Sequence, residues 1–172
     1  NHYKILITGV AGFLGSHLAE KLSVLGHEIV GIDNMIGGYK DNVPKNIEFH
    51  NIDCCDFEKV KKVMKGIQIV YHCAATAHEG LSVFSPYEIT KNNFLASVSI
   101  FSAAINEKVK RIVFCSSMAR YGSQEYPFTE AMNPKPVDPY AISKVAAEQV
   151  LMNLCELNKI EWVIAVPHNI IG

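Results

Sequence analysis

The sequence predicts an α/β fold: a doubly wound parallel sheet of about six strands with helices on both faces. Three observations carry this. Short β-branched runs alternate about six times with longer amphipathic stretches, the pattern of successive βαβ units. The runs are dense in Ile, Val, Phe and Tyr, as strands covered on both faces must be. At 172 residues the chain suffices for one core that buries roughly 70% of its extended surface. One domain is therefore expected over residues 1–172.

Taken in order, the strand candidates are Lys4 to Thr8, Glu28 to Ile32, Ile47 to Ile52, Ile69 to Cys73, Arg111 to Ser116 and Glu161 to Val166. Between the first two, Leu14, Leu18, Leu22 and Leu25 fall on one helical face, and Gly26 stands where a C-terminal cap belongs. Pro86 opens a helix running to about Asn106. Another begins near Asp138-Pro139-Tyr140, with Pro139 in its first turn, and continues past Glu148 toward Leu157. The stretch 121–137 carries Gly122, Pro127, Pro134 and Pro136, cannot hold regular structure for long, and reads as an active-site loop. Lys59, Lys61, Lys62 and Lys65, interleaved with Val60, Val63 and Met64, read as a solvated helix face.

Composition narrows the function. Hydrophobic residues make up 49% and charged residues 19%, with 16 Lys and Arg against 17 Asp and Glu. Neither a disordered chain nor the basic field of a nucleic-acid binder matches that balance. Apolar runs are only a few residues long, far below the roughly 20 that span a bilayer, so no membrane partner is expected. The opening Asn1-His2-Tyr3-Lys4 enters a strand without an apolar signal region. Five cysteines, Cys54, Cys55, Cys73, Cys115 and Cys155, show no C-x-x-C spacing, which disfavours a disulfide framework and a zinc site. Reduced thiols in the cytoplasm are the expectation. His72, His78 and His168 lack local ligand spacing, and no metal is expected.

Directly after the first strand comes Thr8-Gly9-Val10-Ala11-Gly12-Phe13-Leu14-Gly15, followed at once by the leucine periodicity. One glycine permits the tight turn, a second lets a pyrophosphate approach the main chain, and a third lets helix pack on strand. The helix N-terminus adds oriented donors for the anion. Asp33 closes the second strand, 18 residues beyond Gly15, where a carboxylate accepts from ribose hydroxyls and repels a 2′-phosphate. That favours NAD over NADP and a Rossmann-type fold.

At this point the chain resembles, over nearly its whole length, the extended short-chain dehydrogenase/reductase family, which includes NAD-dependent nucleotide-sugar epimerases and dehydratases. The T-G-x-x-G-x-x-G spacing of Thr8 to Gly15 is that of the extended branch. Asp53 matches the acid that binds the adenine amino group, and Tyr71-His72-Cys73-Ala74-Ala75 resembles the small-residue wall under the cofactor. The pair Asn92-Asn93 matches the helix behind the nicotinamide ribose, and Phe114-Cys115-Ser116-Ser117 the catalytic-serine segment. Pro139-Tyr140-Ala141-Ile142-Ser143-Lys144 carries the Y-x-x-x-K motif, and Pro167-His168-Asn169 resembles the stretch that begins the sugar site. The resemblance implies a cofactor site of Gly9, Gly12, Phe13, Leu14, Gly15, Asp33, Asn34, Asp53, Cys54, Cys73, Ala74, Ala75, Asn92, Tyr140, Lys144 and Pro167. It implies substrate contacts from Ser117, Met118, Tyr140 and Asn169, a catalytic set of Ser117, Tyr140 and Lys144, and a homodimer through the helices bearing Asn92-Asn93 and Tyr140-Lys144.

The chemistry suits those residue types. Tyr140 and Lys144 lie four apart on one helical face. A free phenol with pKa about 10 is a poor base at neutral pH, and a neighbouring cation lowers that value. Tyr140 is thus the expected general base, with Ser117 orienting the reacting hydroxyl and Lys144 also holding the nicotinamide ribose. The family's 4,6-dehydratases carry an acidic pair where this chain has Met118 and Ala119. Elimination needs its own acid and base, so 4-epimerisation of a nucleotide sugar is the favoured reaction. Dehydration, decarboxylation and 4-ketoreduction within the family, and a non-catalytic NAD-binding sensor, are the alternatives. Arg120, Ala77 and Val166 depart from the family pattern and leave the sugar open. Family members continue past the Gly172 position into a smaller substrate domain, so this chain is expected to bind NAD without turning over.

Overall fold

The computed structural model describes residues 1–36, 38–74, 85–115 and 138–166. Among them the expected segments form β1 (Lys4–Thr8), β2 (Glu28–Asp33), β3 (Glu48–Asn51), β4 (Ile69–His72), β5 (Arg111–Cys115) and β6 (Glu161–Ala165). They build one sheet in the order β3-β2-β1-β4-β5-β6, every pair parallel. This is the doubly wound order with its switch point between β1 and β4. The strands' carboxyl ends therefore share one edge, the place where such sheets bind ligands.

Among the described residues, five α-helices connect and cover the strands: α1 (Phe13–Val24), α2 (Phe57–Val63), α3 (Pro86–Thr90), α4 (Ala96–Glu107) and α5 (Pro139–Asn158). Caps agree with the sequence. Ser85 and Asp138 accept from the backbone N–H groups of Glu88 and Ala141, each with Pro at the following position. Alternate strand residues sort onto two faces. Leu6, Val30, Ile32, Val70, Ile112 and Phe114 pack with Ile100, Phe101 and Leu151 from α4 and α5. Ile5, Ile7, Ile29 and Ile69 pack with Ala19 of α1. Phe101 and Phe114 are fully enclosed, each worth roughly 1.5–3 kcal/mol of apolar burial. Lys59, Lys62 and Lys65 face solvent over buried Val60 and Met64.

Two expectations needed correction. The helix from Pro86 is not uniform: Lys91–Leu95 form a π turn between α3 and α4, and the Ala96 N–H reaches the Lys91 carbonyl. The Ser97 hydroxyl occupies the Asn93 carbonyl, a side-chain bond that competes with the regular helical ladder. On α1 the leucine stripe is not the buried surface. Leu14, Leu18 and Leu22 are half-buried and Leu25 is exposed, whereas Gly15 and Ala19 are enclosed. Small residues let the helix lie close to the sheet, which pushes the longer side chains to the flanks.

Candidate active site

The glycine turn is fixed from three directions. Gly9 takes φ +69°, a left-handed value that favours glycine, and its N–H donates to the Ile32 carbonyl at 2.9 Å. A Cβ on Gly15 would collide with the Gly9 carbonyl, so only a bare backbone fits there. Asp33 ties the turn to the end of β2: one carboxylate oxygen accepts from the Ala11 N–H at 3.0 Å, the other from the Met35 N–H at 2.7 Å. From a third side, the Asn42 amide and the Tyr39 N–H donate to the Ala11 carbonyl. The α1 N-terminus has Gly12 at its cap position, no side-chain cap and no acid in its first turn. Its first-turn N–H groups are thus left for an external acceptor. A bare turn that opens on an uncapped helix fits the pyrophosphate of a dinucleotide.

Across the switch point the site is made of buried side chains. Thr8 and His72 are paired in the β1–β4 register, and Thr8 Oγ1 lies 2.7 Å from His72 Nδ1. That oxygen also accepts from the N–H groups of Cys73 and Ala74, both at 2.9 Å. His72 Nε2 is 2.9 Å from Ser97 Oγ, and the Ser97 hydroxyl donates to the Asn93 carbonyl. The directions then close on one tautomer: Ser97 accepts from Nε2–H, and Thr8 donates to Nδ1. Burial, reinforced by the Lys144 ammonium, lowers the His72 pKa to about 3. His72 is a neutral strut joining the glycine turn to the π turn.

Tyr140 and Lys144 come together as expected, one turn apart on α5 and only 6% and 2% exposed. The Lys144 ammonium donates to the Cys115 carbonyl at 3.4 Å and lies 4.6 Å from the centre of the Phe114 ring. Burial lowers its pKa to about 8, opposed by the nearby sulfurs of Cys115 and Cys73 and by Glu148. The amine therefore stands at the carboxyl end of β5, beside the strand that carries His72.

The remaining expected residues divide. Phe13 is exposed and Leu14 half-buried on the first turn of α1. Asn34 is exposed and turns back to accept from the Ile36 N–H. Asp53 is exposed beyond β3, where its carboxylate accepts from the Cys55 N–H at 2.8 Å. The side chain of Cys54 packs into the core face, and Asn92 is half-buried in the π turn. Ala75, Ser117, Met118, Pro167 and Asn169 lie outside the described residues, as do the 121–137 stretch, Ala77, His78, Arg120 and His168. Sequence reasoning missed the Thr8–His72–Ser97–Asn93 chain. The available signal was strand register: Thr8 ends one strand predicted to lie in the parallel sheet, and His72 stands one residue before the end of another.

Taken together, the switch-point turn and the enclosed tyrosine–lysine pair define a Rossmann-type domain of the extended short-chain dehydrogenase/reductase kind. More narrowly, the chain belongs to the NAD dependent epimerase/dehydratase family, whose sequence model matches residues 5–172. It is 34% identical over 152 residues to the UDP-glucose 4-epimerase of Streptomyces lividans, covering 86% of this chain and 46% of that protein. It is 34% identical over 172 residues to the UDP-glucose 4-epimerase of Bacillus subtilis, covering 94% and 50%. Among solved structures it resembles the Thermus thermophilus UDP-glucose 4-epimerase complex with NAD, with TM-score 0.89 and 34% identity over 94% of this chain and 53% of that one. The chain spans about half the length of the curated relatives it matches.

Proposed function

We propose that residues 1–172 form the NAD-binding domain of a nucleotide-sugar 4-epimerase that works by transient oxidation at the sugar C4. One observation carries the reading: the enclosed Tyr140–Lys144 pair stands at the same strand edge as the bare glycine turn. Anion anchor and proton-transfer pair thus serve one site. Relatives that are UDP-glucose 4-epimerases support a uridine diphosphate hexose as substrate. Met118 and Ala119, where elimination would need acids, support epimerisation over dehydration.

The division of labour follows from the chain's own groups. Gly9, Gly12 and Gly15 leave main-chain room for the pyrophosphate, with Phe13 and Leu14 supplying first-turn N–H groups. Asp33 retains lone pairs for the ribose hydroxyls after bracing the turn, and Asp53 faces the adenine. Asn34, Cys54, Cys73, Ala74, Ala75, Asn92 and Pro167 line the rest. NAD, when bound, supplies a reversible hydride acceptor. Tyr140 takes the proton of the C4 hydroxyl and later returns it. Before that transfer Lys144 holds Tyr140 as the phenolate, in surroundings of low dielectric where opposite charges attract strongly. Ser117 orients the hydroxyl, and Met118 and Asn169 contact the substrate. We further propose that the protein is a cytoplasmic homodimer. Exposed Tyr87, Leu95 and Ile142, on the helices and π turn bearing Asn92 and Tyr140, support the pairing surface, and the five free thiols support a reducing compartment.

The test has two parts. NAD titrated into the 172-residue chain should give saturable heat by calorimetry. In the full-length protein, NMR should follow UDP-galactose into UDP-glucose, and Tyr140→Phe should slow turnover roughly 100-fold or more. A chain indifferent to NAD, or unchanged turnover in the variant, overturns the proposal.

A further inference from the structure

We propose that Cys73 and Cys115 form a two-thiol site that a hydroperoxide oxidises to a disulfide bridging the carboxyl ends of β4 and β5. The two sulfurs are 3.3 Å apart. The register pairs His72 with Phe114, so the next residue on each strand falls side by side on the opposite face. Neighbouring strands lie about 4.8 Å apart, inside the roughly 4.4–6.8 Å Cα separation that a disulfide spans. Both residues are partly exposed, whereas Cys54 and Cys155 are enclosed. Cys55 hydrogen-bonds the Lys91 carbonyl, and burial raises its pKa to about 11.

The pair is also electrostatically unequal. Donation from the Cys73 thiol holds Cys115 below the ordinary thiol value, helped by the Lys144 ammonium, and the same bond holds Cys73 well above its own. Cys115 is therefore the attacking sulfur and Cys73 the resolving one. The Cys115 thiolate attacks the terminal peroxide oxygen and the O–O bond breaks. The departing alkoxide takes a proton and leaves as the alcohol, or as water from hydrogen peroxide, with Cys115 a sulfenic acid. The Cys73 sulfur then attacks the Cys115 sulfur, and the expelled hydroxide leaves with the Cys73 proton as water. Two thiols and one hydroperoxide become one disulfide, one alcohol or water, and one further water. None of these steps depends on the proposed epimerase activity.

Peptide mapping decides it. The 172-residue chain, treated with a small excess of hydrogen peroxide at neutral pH, alkylated and digested with trypsin, should yield peptides 66–91 and 112–120 joined and lighter by two hydrogens. Titratable thiols should fall from the five now free to three, and dithiothreitol should restore them. The bridge should form roughly tenfold faster or more in the folded chain than in urea, because the fold supplies the proximity. Cys73→Ser should leave Cys115 advancing to the sulfinic acid, and Cys115→Ser should leave peptide 66–91 reduced. Five thiols surviving treatment, a bridge between other cysteines, or equal rates in folded and unfolded chain would overturn the proposal. The wild-type map stands without either variant.

Discussion

Around β1, α1 and β2 the site is made of main chain. Its contacts are N–H groups of Gly9, Ala11 and Met35 and carbonyls of Ala11 and Ile32, braced by Asp33 and Asn42. Around β4, β5 and α5 it is made of side chains withdrawn from water: His72, Tyr140 and Lys144, with Cys73 and Cys115 at the margin. The first region offers shape and oriented dipoles, which neither titrate nor react. The second holds ionisable groups where burial shifts their proton affinity: His72 falls to about 3 and Lys144 to about 8. The proposed anchoring and reactive groups thus fall on opposite sides of the switch point, and perturbations should separate them. Steric changes should dominate on the glycine side, and pH-dependent changes on the other.

The largest effect should come from Gly15→Ala. The new methyl meets the Gly9 carbonyl, which is backbone and cannot swing aside. We expect about 4 kcal/mol lost, a fall in Tm of roughly 10 °C at this chain length, equal at pH 6 and pH 8. A melt unchanged to within a degree would mean that α1 shifts freely, against a close-packed turn. Next comes Thr8→Val, on the boundary between the two regions. It removes one oxygen serving the Cys73 and Ala74 N–H groups and His72, leaving one enclosed and two half-buried polar groups without that partner. About 3 kcal/mol should be lost in urea unfolding.

The two regions also differed in how far the sequence revealed them. The glycine turn could be read directly, since Thr8 to Gly15 are contiguous and the demand for a bare backbone selects one residue type. Tyr140 and Lys144 were readable because helical spacing puts residues four apart on one face. Thr8, His72 and Ser97 were not, because their link is strand register and helix docking across 64 and 25 positions. His72 drew notice as a rejected metal ligand and as one residue of the cofactor-wall segment, never as a partner of Thr8 or Ser97. The Cys73–Cys115 contact was hidden likewise, spanning 42 positions. On α1 the leucine pattern misled because closeness to the sheet, rather than apolar bulk, decides which face is enclosed.

His72 gives the third test. Its folded pKa of about 3 lies below the ordinary 6.5, so the stability it contributes is complete above pH 6.5. It is lost as pH falls, because the unfolded state takes up the proton first. Between pH 6.5 and 4.5 the wild type should lose about 2 kcal/mol relative to His72→Gln, measured by urea unfolding of both proteins. Parallel pH curves would show that the imidazole charges within the folded chain and is not the neutral strut described above.

Lys144 should give the smallest shift, at the other end of the pH scale. Its pKa is lowered from 10.5 to about 8, so above pH 8 the folded chain has released a proton that the unfolded chain still binds. Stability from this group rises with pH until about 10.5. The buried thiols act with the opposite sign: burial raises Cys55 and Cys155 to about 11, so their unfolded forms ionise first. Reading the wild type against Lys144→Met cancels the thiols common to both. The wild type should gain about 1.5 kcal/mol over the variant between pH 8 and pH 9.5. No relative gain would mean that the ammonium keeps its proton beside Cys115 and Glu148. The edge at β4 and β5 would then be a fixed positive charge like the helix end on the glycine side, and the contrast between the two regions would vanish.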